Sequence, residues 1–425
     1  MRRLKSTCIA LFASLTGAVG QTTVSSNIYS STTWTASGSP YTIANNIVVF
    51  AGVTLTIDPG VVVLFDDGVS IDFRGQLIAN GTSSNRIFFT SADSLPTQGI
   101  YGGFKVTGYS GVSGSITHQI AMSYCNICYA SNFMNLIMSC EGPFYFNHCY
   151  FYKNYSGIGD SPDCGDLYVD SCKFESNNMG VNQDENAEVY VSNCLFINNT
   201  TGTTADFVSN SVFTGNGLGV FAYTSLQDCE LYNNTIGAEC DVHGGTTVNH
   251  NYIHDNIIGV RLDRLATGLG FSQNKVCNNT TWNIEYEANF NADVSNNCFC
   301  STDSTYIRSK LRDGYYDATY GLLTYNIDSS CGAGVTAVNT TPNIQSNSVK
   351  VYPNPFSDHA AIDFNYSTGH LYRLEITDEL GRKIRSVDHV KAGATINKDD
   401  IAPGMYYFML FEDQQIAGTG KLVVE

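Results

Sequence analysis

Apolar and polar positions between residues 120 and 300 alternate in short bursts. In "SNCLFINNTTG" (192–202), Cys194 and Phe196 stand two apart with more variable residues between them. That spacing puts both on one face of a strand and does not fit a helical stripe. The burst recurs as "HCYFYKNYSGI" (148–158), "SCKFESNNMGV" (171–181), "SNSVFTGNGLGV" (209–220), "DCELYNNTIGA" (228–238), "HNYIHDNIIGV" (250–260) and "QNKVCNNTTWNI" (273–284). Weaker copies are "YCNICYA" (124–130) and "NCFCSTD" (297–303). Aligned on the cysteine or its substitute, the units start from Cys125, Cys149, Cys172, Cys194, Ser211, Cys229, Asn251, Asn274 and Cys298, with steps of 24, 23, 22, 17, 18, 22, 23 and 24 residues. A period in this range marks a stacked repeat architecture.

Three residues before the anchor stands another apolar residue, as at Phe146, Val169, Val191 and Val208. Five residues after it stands asparagine in seven successive units: Asn154, Asn177, Asn199, Asn216, Asn234, Asn256 and Asn279. Eight residues after it stands glycine in six of these, from Gly157 to Gly259, and a second strand follows, as at Val181, Val220 and Val260. One unit therefore reads strand, Asn bend, Gly bend, strand, loop and return. A coil of about 22 residues that climbs one strand spacing per turn is a parallel β-helix. An amide side chain both donates and accepts, so stacked asparagines are expected to form a ladder from coil to coil. The glycines are expected to supply backbone angles that a Cβ forbids. A β-sandwich with chance similarity does not predict asparagine at one offset seven times.

Before the repeats, "WTASGSPYTIANNIVVFAGVTLTIDPGVVVLFDDGVSIDFRGQLIANGTSSNRIFFTS" (34–91) alternates around Leu55 and Ile57 and breaks at Pro59-Gly60, Gly75 and Gly81. This segment resembles the N-terminal coils of secreted bacterial right-handed parallel β-helix proteins, through "GVTLTIDPG", "GQLIANG" and "IFFTS". After the repeats, "STYIRSKLRDG" (304–314) has helical spacing at Ile307 and Leu311, with Asp303 as N-cap. It resembles the short closing helix of the same proteins, and is expected near 303–313. A capped end is expected because an open strand edge templates association.

The last segment differs in character. "GAGVTAVNTTPNIQSNS" (332–348) is small, polar and aperiodic, and reads as a linker. Residues 349–425 read as a compact β-sandwich. They closely resemble the C-terminal sorting domain of the type IX secretion system, through Tyr352-Pro353-Asn354-Pro355, Asp378 with Gly381-Arg382, Gly404-Met405-Tyr406, and Lys421-Leu422-Val423-Val424. Methionine replaces the commoner valine or isoleucine of the third motif. The resemblance implies the type IX translocon as a partner, and delivery to the outer cell surface of a Gram-negative bacterium or release from it.

Residues 1–20 read as a signal peptide, with Arg2, Arg3 and Lys5 before an apolar run and small residues before Gln21. The expected all-β organisation is then signal peptide 1–20, right-handed β-helix 21–331, linker 332–348 and sorting domain 349–425. No stretch is long and apolar enough for a transmembrane helix. Residues 21–345 hold 11 Lys and Arg against 28 Asp and Glu. Such a surface repels phosphate backbones, so nucleic acid is not expected as a partner. A polysaccharide ligand and a monomeric chain are expected. Of the 13 cysteines beyond the signal, six occupy anchors. They are read as an inward thiol stack, with disulfides between neighbouring coils as the alternative.

Enzymatic signatures are sparse. "DVHGG" (241–245) lacks the leading glycine and the Arg-x-Lys element of chains that resemble pectin hydrolases. One pattern rises above the rest. Twelve residues after the anchor stand Asp184, Asp206, Tyr223, Asp241 and Asp263, with Glu287 one residue out of step; two residues earlier stand Glu239, Arg261 and Glu285. The candidate ligand-binding face is therefore Glu239, Asp241, His243, Arg261 and Asp263. Oxygen-rich ligation would suit Ca²⁺, although the spacing matches no defined loop. A solvated polar face is the plainer reading. The function expected is surface glycan binding or adhesion without catalysis. A polysaccharide lyase or glycoside hydrolase, and a structural surface protein, are the alternatives.

Overall fold

The computed structural model describes residues 21–107, 120–137, 143–159, 165–183, 188–241, 246–263, 270–327, 349–364, 366, 372–378, 383–399, 401–412 and 415–425. The signal peptide and the linker lie outside the described residues. Contacts divide the chain into two units, Met1–Thr340 and Thr341–Glu425.

The first unit is a stack of parallel strands. A representative coil runs through Val189–Ser192, Leu195–Ile197 and the start of Thr201–Ser209. Its middle strand belongs to a twelve-stranded parallel sheet built from one strand per coil. The other two faces merge into one larger sheet, because Thr201–Ser209 and Leu218–Gln227 each run through the corner between them. Successive coils pair in register, as Phe174 with Phe196, Phe213, Leu231, Ile253 and Val276 in turn. These residues point inward and are fully buried. The rings of Phe151, Phe174, Phe196 and Phe213 stack at 4.6, 4.8 and 4.7 Å, which is the strand spacing itself.

All seven ladder asparagines are buried. Each Oδ1 from Asn177 to Asn279 accepts the backbone N–H and the side-chain Nδ2 of the asparagine one coil earlier. For Asn216 these bonds, from Asn199, measure 2.9 and 3.0 Å. The Nδ2 of Asn216 donates onward to Asn234 and also to the Phe196 carbonyl, so the bend carbonyls are satisfied as well. The anchors form a second ladder. The Cys149 and Cys172 N–H groups donate to the sulfur one coil on, Cys194 N–H to the Ser211 hydroxyl, and Cys229 N–H to Asn251. From there Asn251, Asn274 and Asn297 continue as an amide ladder. The last anchor is therefore Asn297, one residue before the expected Cys298. Asn297 Oδ1 accepts both the backbone N–H and the Nδ2 of Asn274, two bonds where a cysteine sulfur in this ladder accepts one backbone N–H.

The glycines work differently from expectation. The left-handed bend positions belong to the residues just before each ladder: Ser171, Asn193, Asn210, Asp228, His250 and Gln273 at φ 47–60°, and Lys153, Ser176, Asn198, Asn233, Asp255 and Asn278 at φ 52–58°. Asparagine and aspartate tolerate this region better than most residues. The repeat glycines have no such φ. A Cβ on Gly180, Gly202 or Gly219 would lie 2.3 Å from the carbonyl oxygen of the next glycine in the column. Close approach between coils, not backbone angle, demands glycine there.

Cys125, Cys149, Cys172, Cys194, Cys229 and Cys240 are free and buried. Cys277 and Cys300 are joined in a disulfide across neighbouring coils, so the thiol stack and the inter-coil disulfide both occur, in different coils. The closing helix spans Ser304–Ser309, capped by the Asp303 carboxylate on the Thr305 N–H at 2.8 Å. It is shorter than the expected span. Leu311 lies in a strand beside Ile284, because the chain returns to the sheet to cover its last edge.

The second unit has a three-stranded and a four-stranded antiparallel sheet around a core that includes Phe356, Ile362, Leu374, Tyr406, Phe408 and Leu422.

Candidate functional site

The charged face lies on the strand that follows the ladder asparagine. Its inward positions, Ala238 and Cys240 in one coil and Val260 and Leu262 in the next, are buried. Strand alternation then turns Glu239 and Arg261 outward. Register places Glu239 beside Arg261, Arg261 beside Glu285, and Glu285 beside Arg312. Asp241 sits directly beside Asp263 in the backbone register. The side chains of these two aspartates, and all of Asp184 and His243, lie outside the described residues.

Charges along this column alternate, and they bond. Arg261 Nε donates to Glu285 at 2.8 Å and its Nη1 to Glu239 at 3.4 Å. Arg312 Nη1 donates to Glu285 at 2.8 Å and also to Glu287. Arg312 lies outside the repeat, which is why the sequence pattern missed it. Burial is the largest single influence and works against the Arg261 charge, but the hydrogen bonds and charges of Glu285 and Glu239 together outweigh it and the net shift is upward. For Arg312 the hydrogen bond to Glu287 is the leading cause of an upward shift. Both guanidiniums are therefore more firmly charged than when free.

The expected acidic column is interrupted before it reaches this ribbon. Asp206 sits at a break in register between Ala205 and Phe207, and its carboxylate accepts the Val189 N–H of the preceding coil at 2.9 Å. Burial is the main reason its pKa is raised.

Two further clusters carry no sequence signature. On the neighbouring face, Tyr145, Tyr168, Tyr190 and Phe207 stack outward at 5.3, 4.9 and 4.8 Å. Tyr168 donates to Asp166 and Tyr190 to Glu188. On the twelve-stranded sheet, His254 is held between Asp255 at 2.7 Å and Glu230 at 3.3 Å, with its ring against Tyr232 and Tyr252. Burial opposes the His254 charge, but the hydrogen bonds to Glu230 and Asp255 prevail and its pKa is raised. The outward phase of each strand gave the only hint of these clusters, because their partners are a full coil apart in sequence.

In the second unit, motifs far apart in sequence meet. Asn354 accepts the Val423 N–H at 2.8 Å, and Phe356 N–H donates to the Val423 carbonyl. Tyr352 and Pro353 begin this turn, and Pro355 separates its two contact residues. Gly404 pairs with Val424, and Lys421 with Tyr407, in the two final strands. Tyr406 is buried and donates to the Ala402 carbonyl at 2.7 Å. Gly381 lies outside the described residues.

Comparison with known proteins agrees with both halves of this architecture. Residues 350–425 match the family model of the secretion system C-terminal sorting domain, and residues 26–128 match that of the pectate-lyase like beta helix domain. No curated protein matches the chain in sequence. Among solved structures, the A-module of a mannuronan C-5 epimerase from Azotobacter vinelandii is similar at 13% identity over 73% of this chain and 83% of that one, with a TM-score of 0.21. Among the described residues no helix is long and apolar enough to cross a membrane. The chain is thus a parallel β-helix protein that carries a type IX C-terminal sorting domain, exported from the cell and either released or held on its surface.

Proposed function

We propose that the β-helix is a non-catalytic glycan-binding or adhesive body displayed at the cell surface, with Glu239, Asp241, Arg261 and Asp263 on its binding face. The observation that carries this reading is the pairing of Arg261 with Glu239 and Glu285. A paired carboxylate and guanidinium present fixed acceptors and donors to sugar hydroxyls, and neither has to change protonation. The ribbon runs along the helix axis, which suits a polymer. A lyase acting on this face would need a neutral basic group to take a proton. Arg261 and Arg312 are each held between two carboxylates and shifted upward, the wrong direction for that task.

The test is incubation of the full-length exported chain with a polysaccharide panel, reading retention and new reducing ends together, with and without a calcium chelator. Retention without new ends, weakened by Asp241→Ala, supports the proposal. New reducing ends establish the enzyme instead, and neither signal leaves a structural surface protein. A lower melting temperature in chelator, absent in Asp241→Ala, would assign Ca²⁺ to Asp241 and Asp263.

A further inference from the structure

Two coils differ from all their neighbours at one corner. In the coil before them, the strand Met179–Asn182 is followed by residues 183–188 before Val189 begins the next strand. In the two coils after them, residues 242–246 and 264–269 separate the corresponding strands in sequence. Between these, Thr201–Ser209 and Leu218–Gln227 cross the corner as unbroken strands. They are the coils with the shortest steps in the repeat, and no residues separate their strands at the corner where the neighbouring coils have five or six.

This corner has its own chemistry. Phe207 ends the outward aromatic stack. One face of its ring lies on Tyr190 at 4.8 Å, but its register partner on the other side is Ser225, which has no ring to cover it. Across the corner on the next coil, Phe221 and Tyr223 form a tilted pair at 4.9 Å, and Tyr223 is 39% exposed. Asp206 immediately precedes Phe207, and the register break sets it opposite Tyr223 and Thr224 on the next coil. Phe221 is also in register with Glu239, so the corner adjoins the charged ribbon.

We propose that this corner is a pyranose-binding subsite for a glycan without carboxylate or sulfate groups. The face of Phe207 turned away from Tyr190 and the Phe221–Tyr223 pair serve as stacking platforms, and Asp206 accepts from the sugar hydroxyls. Such a subsite rests on the glycan-binding reading above and deepens it. An aromatic face carries negative quadrupole charge and attracts the polarised C–H groups of a sugar ring, while a neighbouring carboxylate accepts from the hydroxyls at its rim. The choice of ligand charge follows from the surroundings. Glu188 beside Tyr190 and Asp206 beside Phe207 put carboxylates at the corner, so an anionic chain would meet like charge there.

The test is calorimetric titration of the full-length exported chain with cellohexaose, xylohexaose, mannohexaose and chitohexaose, and with hexagalacturonate as the anionic probe. The variants are Phe207→Leu, which keeps bulk but removes the ring, Tyr223→Ser, and Asp241→Ala on the charged ribbon. Tyr29→Ser, in the N-terminal coils, is the control. Should Phe207→Leu fold poorly, Tyr223→Ser alone carries the test. Binding of at least one neutral hexasaccharide, weakened tenfold or more by Phe207→Leu and Tyr223→Ser and unchanged by Tyr29→Ser, is the expected result; tenfold corresponds to about 1.4 kcal/mol. Binding that survives both aromatic variants but falls in Asp241→Ala would overturn the subsite and keep the glycan reading. Hexagalacturonate binding more tightly than every neutral probe would overturn the charge argument and with it the proposal. No binding of any probe would overturn both.

Discussion

Replacing Asn216 with leucine tests the asparagine ladder where its load can be worked out atom by atom. Leucine keeps the branched outline of asparagine but makes none of its hydrogen bonds, and its methyl groups cannot approach to 2.9–3.0 Å, so any overpacking adds to the loss. Asn216 Oδ1 accepts two donors, the Asn199 N–H at 2.9 Å and the Asn199 Nδ2 at 3.0 Å. Both would be left buried without that acceptor. The Phe196 carbonyl would also lose its donor, while Asn234 Oδ1 keeps the backbone N–H of residue 216 at 2.8 Å. At about 1–3 kcal/mol per stranded buried group, the two donors alone predict a loss of about 2–6 kcal/mol. Asn154 provides a graded comparison at the start of the ladder. Its Oδ1 accepts the Ala130 N–H, and alanine has no amide side chain to add a second bond. Asn154→Leu should therefore cost about half as much, about 1–3 kcal/mol. Urea unfolding followed by tryptophan fluorescence reports the β-helix alone, because both tryptophans, Trp34 and Trp282, lie in it. At constant slope the midpoint shift gives the free-energy loss directly. If Asn216→Leu unfolds with the wild type, or Asn154→Leu costs as much as Asn216→Leu, the reasoning is wrong.

Gly202→Ala should destabilise the β-helix by about 1–3 kcal/mol or more, through overpacking against the Gly219 carbonyl, and the same unfolding assay reads it. Gly68, at φ +70° with open space around it, should show only the smaller cost of a positive φ. His254 has a higher pKa in the folded chain than in the unfolded one. The stability it contributes is therefore fully present below about pH 6.5 and is lost as pH rises through the folded value. The midpoint difference between wild type and His254→Gln should shrink as pH rises above about 6.5, and a difference that does not vary with pH would refute this. Deleting residues 346–425 should retain the protein inside the cell envelope while leaving the tryptophan-detected transition of the β-helix in place. Surface appearance of the truncated chain would contradict the role of the tail.

Alternation and period were enough to specify the coil, because both are properties of spacing along one strand. The pair Cys194 and Phe196 shows this: two residues apart, both inward, repeated in each unit. The offsets of Asn154 through Asn279 followed from the same spacing, since every coil places its bend a fixed distance after its anchor. The four motifs of the sorting tail were also legible in order. The sequence could not say that Asn354 reaches Val423, because that contact depends on how two sheets close on each other.

Tertiary structure decided everything that depends on lateral neighbours. Coil lengths vary from 17 to 24 residues, so the residue beside a given side chain cannot be counted from the sequence with one fixed step. Arg312 completes the charged ribbon from beyond the repeat, and Asp206 leaves the acidic column at a register break. The glycine column has an ordinary local conformation, and only the carbonyl of the next coil shows why a side chain is excluded. Similarly, the last anchor moves to Asn297 because the bond it accepts comes from Asn274, 23 residues away. Short-range spacing shapes a coil, but its outer surface is written by contacts between coils whose lengths differ.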